Sequence, residues 1–150
     1  MREATIHDLE NIGKLLWKGR AECFPYQAKK MNFERGVDYM ADLILQPYGL
    51  VLVEDDGEQI VAILAAMLEE PWFADDKIAK VLLLYVDEDY RSKKYGMAMM
   101  KRYITWAESH NALHILAGIS SGVRTEAVTR MYQWIGFEEV GVTMMKKKVN

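Results

Sequence analysis

Residues Tyr85 to Met100 read YVDEDYRSKKYGMAMM, and the turn inside them is where the fold is decided. Upstream, VLLLYV (Val81–Val86) is a continuous apolar run that reads as a buried strand. Downstream, Met100, Tyr103, Ile104 and Ala107 recur at helical spacing. A helix opening near Lys94 or Tyr95 exposes its first backbone N–H groups and the positive end of its dipole. Arg91, Lys93 and Lys94 lie at that same end. Basic residues there oppose the dipole, so a bound anion would relieve a cost; a solvated basic corner is the other reading. Gly96 is the only glycine of the turn, and Lys94 stands where an anion-binding loop would be expected to carry another. The stretch lacks the glycines and the Lys-Ser/Thr pair of a Walker loop, and two of the three glycines of a dinucleotide fingerprint.

The rest of the chain sets limits on what this turn can serve. With 150 residues, 51% hydrophobic and 27% charged, the expectation is one domain over residues 1–150. A net charge of −3 argues against nucleic acid as a partner. The longest apolar run, Ile60 to Leu68, is about half of what a membrane span requires. The polar start MREATIHDLE has no secretory apolar stretch, and the single Cys23 excludes an internal disulfide. A cytoplasmic, membrane-free protein is therefore expected. Three dispersed histidines give no metal spacing, so no metal is expected.

Outward from the turn, the periodicity predicts a strand over Arg2–Ile6 and a helix capped by Asp8 with Leu9, Ile12 and Leu16 on one face. Phe24–Lys30 reads as a loop. Asn32 is expected to cap a second helix carrying Phe33, Val37, Met40 and Ile44, which Pro47 ends. Tyr48–Glu54 and Gln59–Leu68 form a hairpin about Asp55-Asp56-Gly57-Glu58. A loop with Pro71, Trp72 and Phe73 leads to the strand Ile78–Val86. After the third helix come a strand over Leu113–Ile119, a loop over Ser120–Gly122 and a helix over Thr125–Ile135 with Gly136 beyond it. Two short strands, Phe137–Val140 and Val142–Lys147, are expected to finish the chain. The order β-α-α-β-β-β-α-β-α-β-β implies an α/β fold. Its sheet of about six to seven strands is mixed and mostly antiparallel, with helices on both faces.

With these elements in place, the turn resembles the acyl-CoA-binding motif of the GNAT acyltransferase superfamily. That motif is a strand ending L-x-V, a short acidic link, then R/Q-x-x-G-x-G/A opening a helix. Here it reads Leu84-Tyr85-Val86, Asp87 to Tyr90, then Arg91-Ser92-Lys93-Lys94-Tyr95-Gly96. A second signature, Y-x-x-x-G-F, matches Tyr132 to Phe137. Lys94 replaces the first motif glycine; a helical backbone at Lys94 would make that exchange harmless. Thr125 stands where relatives often carry an asparagine that contacts the cofactor arm, and it is expected to cap its helix.

The resemblance implies an N-acetyltransferase that moves an acetyl group from acetyl-CoA to a primary amine by direct attack, with a homodimer as the expected assembly. The acceptor is a small molecule or a protein. A catalytically weak CoA-binding or protein-interaction module is the alternative. The resemblance implies that Leu84 and Val86 offer backbone groups to the pantetheine arm. It gives Arg91, Ser92, Lys93, Lys94, Tyr95, Gly96 and Met97 to the pyrophosphate, Thr125 to the cofactor arm, and the Tyr132 hydroxyl to the thioester sulfur as general acid. The Val86 N–H is the expected oxyanion donor. Phe24, Tyr26, Glu69 and Trp72 are candidate acceptor-site residues, and no general base stands out among Glu69, Glu70, Asp87 and Tyr85.

Overall fold

The strand β3 (Ile60–Glu69) lies at the centre of the sheet, and Ile60 through Ala66 are buried without interruption. A strand covered on both faces can carry such a run, because neither alternating face meets water. In this computed structural model, which describes residues 1–23, 30–119 and 122–146, the other elements are arranged around it. They are β1 (Arg2–Glu3), α1 (Leu9–Cys23), α2 (Phe33–Leu45), β2 (Gly49–Asp55), β4 (Ile78–Val86), α3 (Tyr95–Ser109), β5 (Ile115–Leu116) and α4 (Thr125–Trp134). The sheet order is β1-β2-β3-β4-β5, antiparallel throughout except for the parallel pair β4–β5. Among the described residues no helix is long and apolar enough to cross a membrane.

Strand alternation divides the core in two. Ala62, Leu64, Ala66 and Leu68 face α3 and α4, where they meet Met99, Met100, Tyr103, Ala107 and Tyr132. Ile60, Ile63 and Ala65 face α1 and α2, where they meet Ile12, Leu15, Leu16, Met40 and Leu43. Each fully buried Leu or Ile is worth about 1.5–3 kcal/mol of apolar transfer.

The local signals explain most boundaries. The Asn32 side chain accepts the Arg35 N–H at 3.0 Å and opens α2. Gly57 adopts φ +98° between β2 and β3, and the Asp56 carboxylate accepts the Glu58 and Gln59 N–H groups at 3.0 Å each. The Tyr90 hydroxyl donates to that same carboxylate at 2.5 Å, and its hydrogen bond, with those two N–H groups, pulls Asp56 down to about 2.

Four expectations are corrected. The first strand stops at Glu3, and a 3-10 turn over Ile6–Asp8 precedes α1. Asp8 lies within that turn, where its carboxylate accepts the Thr5 N–H at 2.7 Å and both terminal nitrogens of Arg2 at 2.8 Å. The strand expected over Leu113–Ile119 is only Ile115–Leu116. No strand forms over residues 137–146, so the sheet has five strands rather than six or seven among the described residues. β5 shares only two residue pairs with β4, and Val140, Val142 and Met144 of the tail stay exposed, so neither segment gains the burial that would hold a longer strand. Residues 24–29 of the first loop, Ser120, Ser121 and Lys147 lie outside the described residues.

Candidate active site

The departure of β4 from β5 makes the site. From Glu69↔Ile78 to Ala66↔Val81 the β3–β4 register is regular, but Ala65 pairs with Leu83, so Leu82 is an inserted bulge residue. A bulge bends and twists its strand. On its other edge β4 touches β5 only at Ala79↔Ile115 and Lys80↔Leu116. Beyond these pairs the two strands part around a cavity of about 510 Å³, lined by Val81–Val86, the start of α3 and the inner side of α4. The Asp87 N–H donates to the Val61 carbonyl at 2.9 Å. Alternation along an antiparallel strand then turns the backbone groups of Leu84 and Val86 away from β3, toward this gap. The Val86 carbonyl accepts Arg91 Nε at 3.1 Å.

Two helices open onto the cavity. A 3-10 turn over Glu88–Lys93, capped by the Asp87 carboxylate accepting the Asp89 N–H at 3.2 Å, delivers the chain to α3. Lys94 is the N-cap of α3, with φ 60° and ψ 22°. The expected helical backbone at Lys94 is therefore corrected: the position is left-handed, the conformation that a glycine adopts without a Cβ penalty. Arg124 caps α4 in the same way, with φ 49° and ψ 38°. Thr125 is accordingly the first residue of α4 and not its cap, and its carbonyl accepts the Thr129 hydroxyl at 2.7 Å. Gly96 needs no special φ. A Cβ there would lie at ordinary contact distance, 3.9 Å, from Leu84, Val86 and Met131, so glycine leaves room for one more atom beside the helix start.

The second sequence signature has a local explanation. Gly136 takes φ +98° and ends α4. The Phe137 N–H then donates to the Tyr132 carbonyl at 3.0 Å and the Gly136 N–H to Gln133 at 3.1 Å, the paired bonds of a Schellman cap. Its hydrophobic contact is Phe137 on Tyr132, with ring centroids 5.6 Å apart. The cap fixes the Tyr132 ring in the cavity wall, where the residue is 8% exposed and its hydroxyl donates to the Gly118 carbonyl at 3.2 Å. Burial pushes the phenol above its ordinary value, so at neutral pH it is a proton donor.

On the other face of β4, Tyr85 packs under α1. An added Cβ on Gly19 would come within 2.6 Å of the Tyr85 ring, so only glycine lets α1 approach this closely. The Tyr85 hydroxyl donates to Glu22 Oε2 at 3.3 Å, while Arg91 Nη2 pairs with Glu22 Oε1 at 2.6 Å. Lys18 Nζ donates to the buried Asp87 carboxylate at 2.5 Å, and that hydrogen bond raises the lysine's affinity for its proton.

Of the residues expected at the site, Leu84, Val86, Arg91, Lys94, Gly96, Met97 and Tyr132 line this cavity. Ser92, Lys93, Tyr95 and Thr125 flank it without lining it. Glu69 pairs with Lys80 at 2.6 Å at the far end of β3, and Trp72 is 96% exposed, so neither borders the cavity. Phe24 and Tyr26 lie outside the described residues. Glu22 and Arg124 were not anticipated. A cation directly before a helix start was a readable hint for Arg124; Glu22 has no local signal, because tertiary packing alone brings it to the cavity.

The fold is shared with known structures. An aminoglycoside antibiotic 6'-N-acetyltransferase from Acinetobacter haemolyticus is similar with a TM-score of 0.71 at 16% identity, over 99% of this chain and 98% of that one. A second such enzyme, from Acinetobacter baumannii, gives 0.71 at 19%, over 99% and 97%. An acetyltransferase from Trypanosoma brucei gives 0.73 at 17%, over 98% and 97%. At these identities the likeness concerns the fold. No curated protein sequence matches. The model of the Acetyltransferase (GNAT) family matches residues 12–137, which include the β4 edge, both helix starts and Tyr132, and the chain therefore belongs to this family of acetyltransferases.

Proposed function

We propose that the chain acts as a single unit that transfers an acetyl group from acetyl-CoA to a primary amine by direct attack, without a covalent enzyme intermediate. The observation that carries this reading is the cavity at the free edge of β4, where the Leu84 and Val86 backbone, the start of α3 and the Tyr132 phenol converge. The residues present fit the cofactor. The N–H groups at the start of α3, the room left by the absent Gly96 side chain and the Arg91 and Lys94 cations suit a pyrophosphate. The exposed strand edge suits an amide-bearing arm that bonds it like a further strand. When bound, acetyl-CoA supplies an activated thioester.

In this reading the neutral form of the amine attacks the acyl carbon and the C–S bond breaks. The Val86 N–H donates to the acyl oxygen as negative charge develops, and the Tyr132 O–H gives its proton to the departing sulfur. The proton shed by the new amide nitrogen passes to water, from which the phenol is reprotonated. The aminoglycoside acetyltransferases among the structural neighbours make a polycationic amine a reasonable first acceptor to assay. The cytoplasmic setting stays part of the reading, supported by the single cysteine. A homodimer is supported by Val140, Val142 and Met144, apolar side chains that recur at strand spacing and are exposed in the single chain. The strained backbone of Lys94 favours a second reading, a CoA-binding module with weak turnover. The test is twofold. Saturating acetyl-CoA must raise the melting temperature, and thiol release must accelerate with an amine present. A thermal shift without amine-dependent thiol release would leave the second reading standing, and no shift would end both.

A further inference from the structure

The cavity runs around the edge of β4 and joins two different surroundings. Gly96, Lys94, Arg124 and Tyr132 line it on the α3–α4 side, and Glu22 lines it on the α1 side. Among the described lining residues, Glu22 is the one carboxylate, against the cations Arg91, Lys94 and Arg124. An aliphatic amine has a pKa near that of lysine, about 10, so it reaches the enzyme as an ammonium ion. Three cations and no carboxylate would repel it. Lys94 and Arg124 sit at helix starts, where an anionic cofactor would offset them; the α1 side needs its own negative charge.

We propose that Glu22 is the residue that recognises the acceptor, its carboxylate receiving the ammonium group of a cationic amine on the α1 side of the cavity. The inference rests on the acetyltransferase reading above and adds to it the residue that selects the acceptor. The carboxylate is already oriented: Arg91 Nη2 holds Oε1 at 2.6 Å and the Tyr85 hydroxyl donates to Oε2 at 3.3 Å. A carboxylate has about four acceptor positions, so these two bonds leave room for an ammonium. The Glu22 side chain keeps 30% of its surface accessible, enough for a ligand to reach it. The close contact of Gly19 with Tyr85 fixes the distance between α1 and β4, and with it the position of the acid. Arg91 also ties the two sides together. It belongs to the turn expected to hold the cofactor, and a bound phosphate would share its charge, leaving Glu22 more negative toward the amine.

The experiment compares the parent protein with Glu22→Gln. Binding of spermidine, kanamycin and Nα-acetyl-lysine methylamide is measured by calorimetry, with and without acetyl-CoA, alongside the affinity for acetyl-CoA itself. The expected result is that the parent binds at least one amine and that Glu22→Gln weakens it at least tenfold. Acetyl-CoA affinity is undiminished, and Glu22→Asp recovers part of the loss. In turnover, the amine KM rises while the acetyl-CoA KM stays. Should the glutamine variant misfold, Glu22→Ala at this half-exposed helical position takes its place. Amine binding by the variant within twofold of the parent overturns the proposal, as does a parent that binds none of the three amines. A parent that binds amines but not acetyl-CoA sinks the acetyl-CoA reading alone, and the Glu22 comparison still decides this one.

Discussion

Lys94 and Arg124 cap α3 and α4 with the same left-handed backbone, at φ 60° and φ 49°, and both line one cavity. Each holds a conformation that costs a residue with a Cβ about 1–2 kcal/mol. Each also adds a positive charge to a helix end that is already positive. Stability is thereby given up twice at one place, which supports the proposed anion site over a plain surface corner.

Replacing Lys94 with glycine removes the Cβ strain, while the greater freedom of glycine when unfolded returns about 0.5–1 kcal/mol of that gain. The ligand-free variant is expected to melt about 1–4 °C above the parent. Lys94→Ala keeps the strain and loses a charge that opposes the helix dipole, so its melting temperature rises by less than the glycine variant's. Its acetyl-CoA affinity falls, with a shallower dependence on salt. Thermal melts and titrations at two ionic strengths read both effects, and a glycine variant that melts lower than the parent contradicts the strain argument.

Gly96→Val separates folding from binding. The added Cβ meets Leu84, Val86 and Met131 at ordinary contact distance, 3.9 Å, and the backbone is not left-handed. The ligand-free melting temperature should therefore move by only a few degrees. The acetyl-CoA-induced shift should vanish, because the side chain fills the space a ligand backbone or phosphate would use. An undiminished shift would move the anion site away from the start of α3.

Much of this was legible in the sequence where local chemistry decides. The apolar run ending at Val86 gave β4 to the residue, the Asp-Gly turn gave the β2–β3 hairpin, and Gly136 with Phe137 marked the cap that positions Tyr132. What escaped depends on contacts between distant residues. The Leu82 bulge interrupts no pattern, since every neighbour is equally apolar. The longer fifth strand and the two tail strands were read from their own residues, and whether such segments pair depends on partners that local pattern does not name. The left-handed backbone at Lys94 is set by how the 3-10 turn meets α3. Glu22 meets Tyr85 across 63 residues of chain.

The Arg2–Asp8 pair makes stability sensitive to acid. The Arg2 hydrogen bonds, helped by the Thr5 N–H, hold the Asp8 carboxyl well below its ordinary range. A carboxyl depressed on folding contributes its full stabilisation above its unfolded pKa, about 4, and loses it as the pH falls toward the depressed value. Asp8→Asn should therefore be less stable than the parent at pH 7, by about 1–2 kcal/mol once the half-exposed arginine is discounted for solvent screening. Denaturant titrations from pH 7 down to about pH 2 should show the gap closing below about pH 4. A gap that stays constant with pH would mean that the aspartate acts through shape and not through charge.

Tyr132→Phe tests the chemistry with the least disturbance to the fold. The ring, its contact with Phe137 and the Schellman cap are kept, because the cap uses the backbone of Tyr132 and not its hydroxyl. What goes is the hydrogen bond to the Gly118 carbonyl, a loss of about 0.5–1.5 kcal/mol in stability, and the only proton the side chain can give. If that proton reaches the departing sulfur, its removal costs on the order of 10²–10⁴-fold, the usual range for general acid catalysis. The variant should bind acetyl-CoA as the parent does and turn over at least ten times more slowly. The loss should fall on kcat, since the hydroxyl matters most when charge develops in the transition state. The rate should depend on the leaving thiol as well, with a thioester of a more acidic thiol suffering less from the exchange because its thiolate needs the proton less. A variant with kcat within twofold of the parent, or with a loss indifferent to the leaving group, would make Tyr132 a wall of the cavity and hand protonation of the sulfur to water.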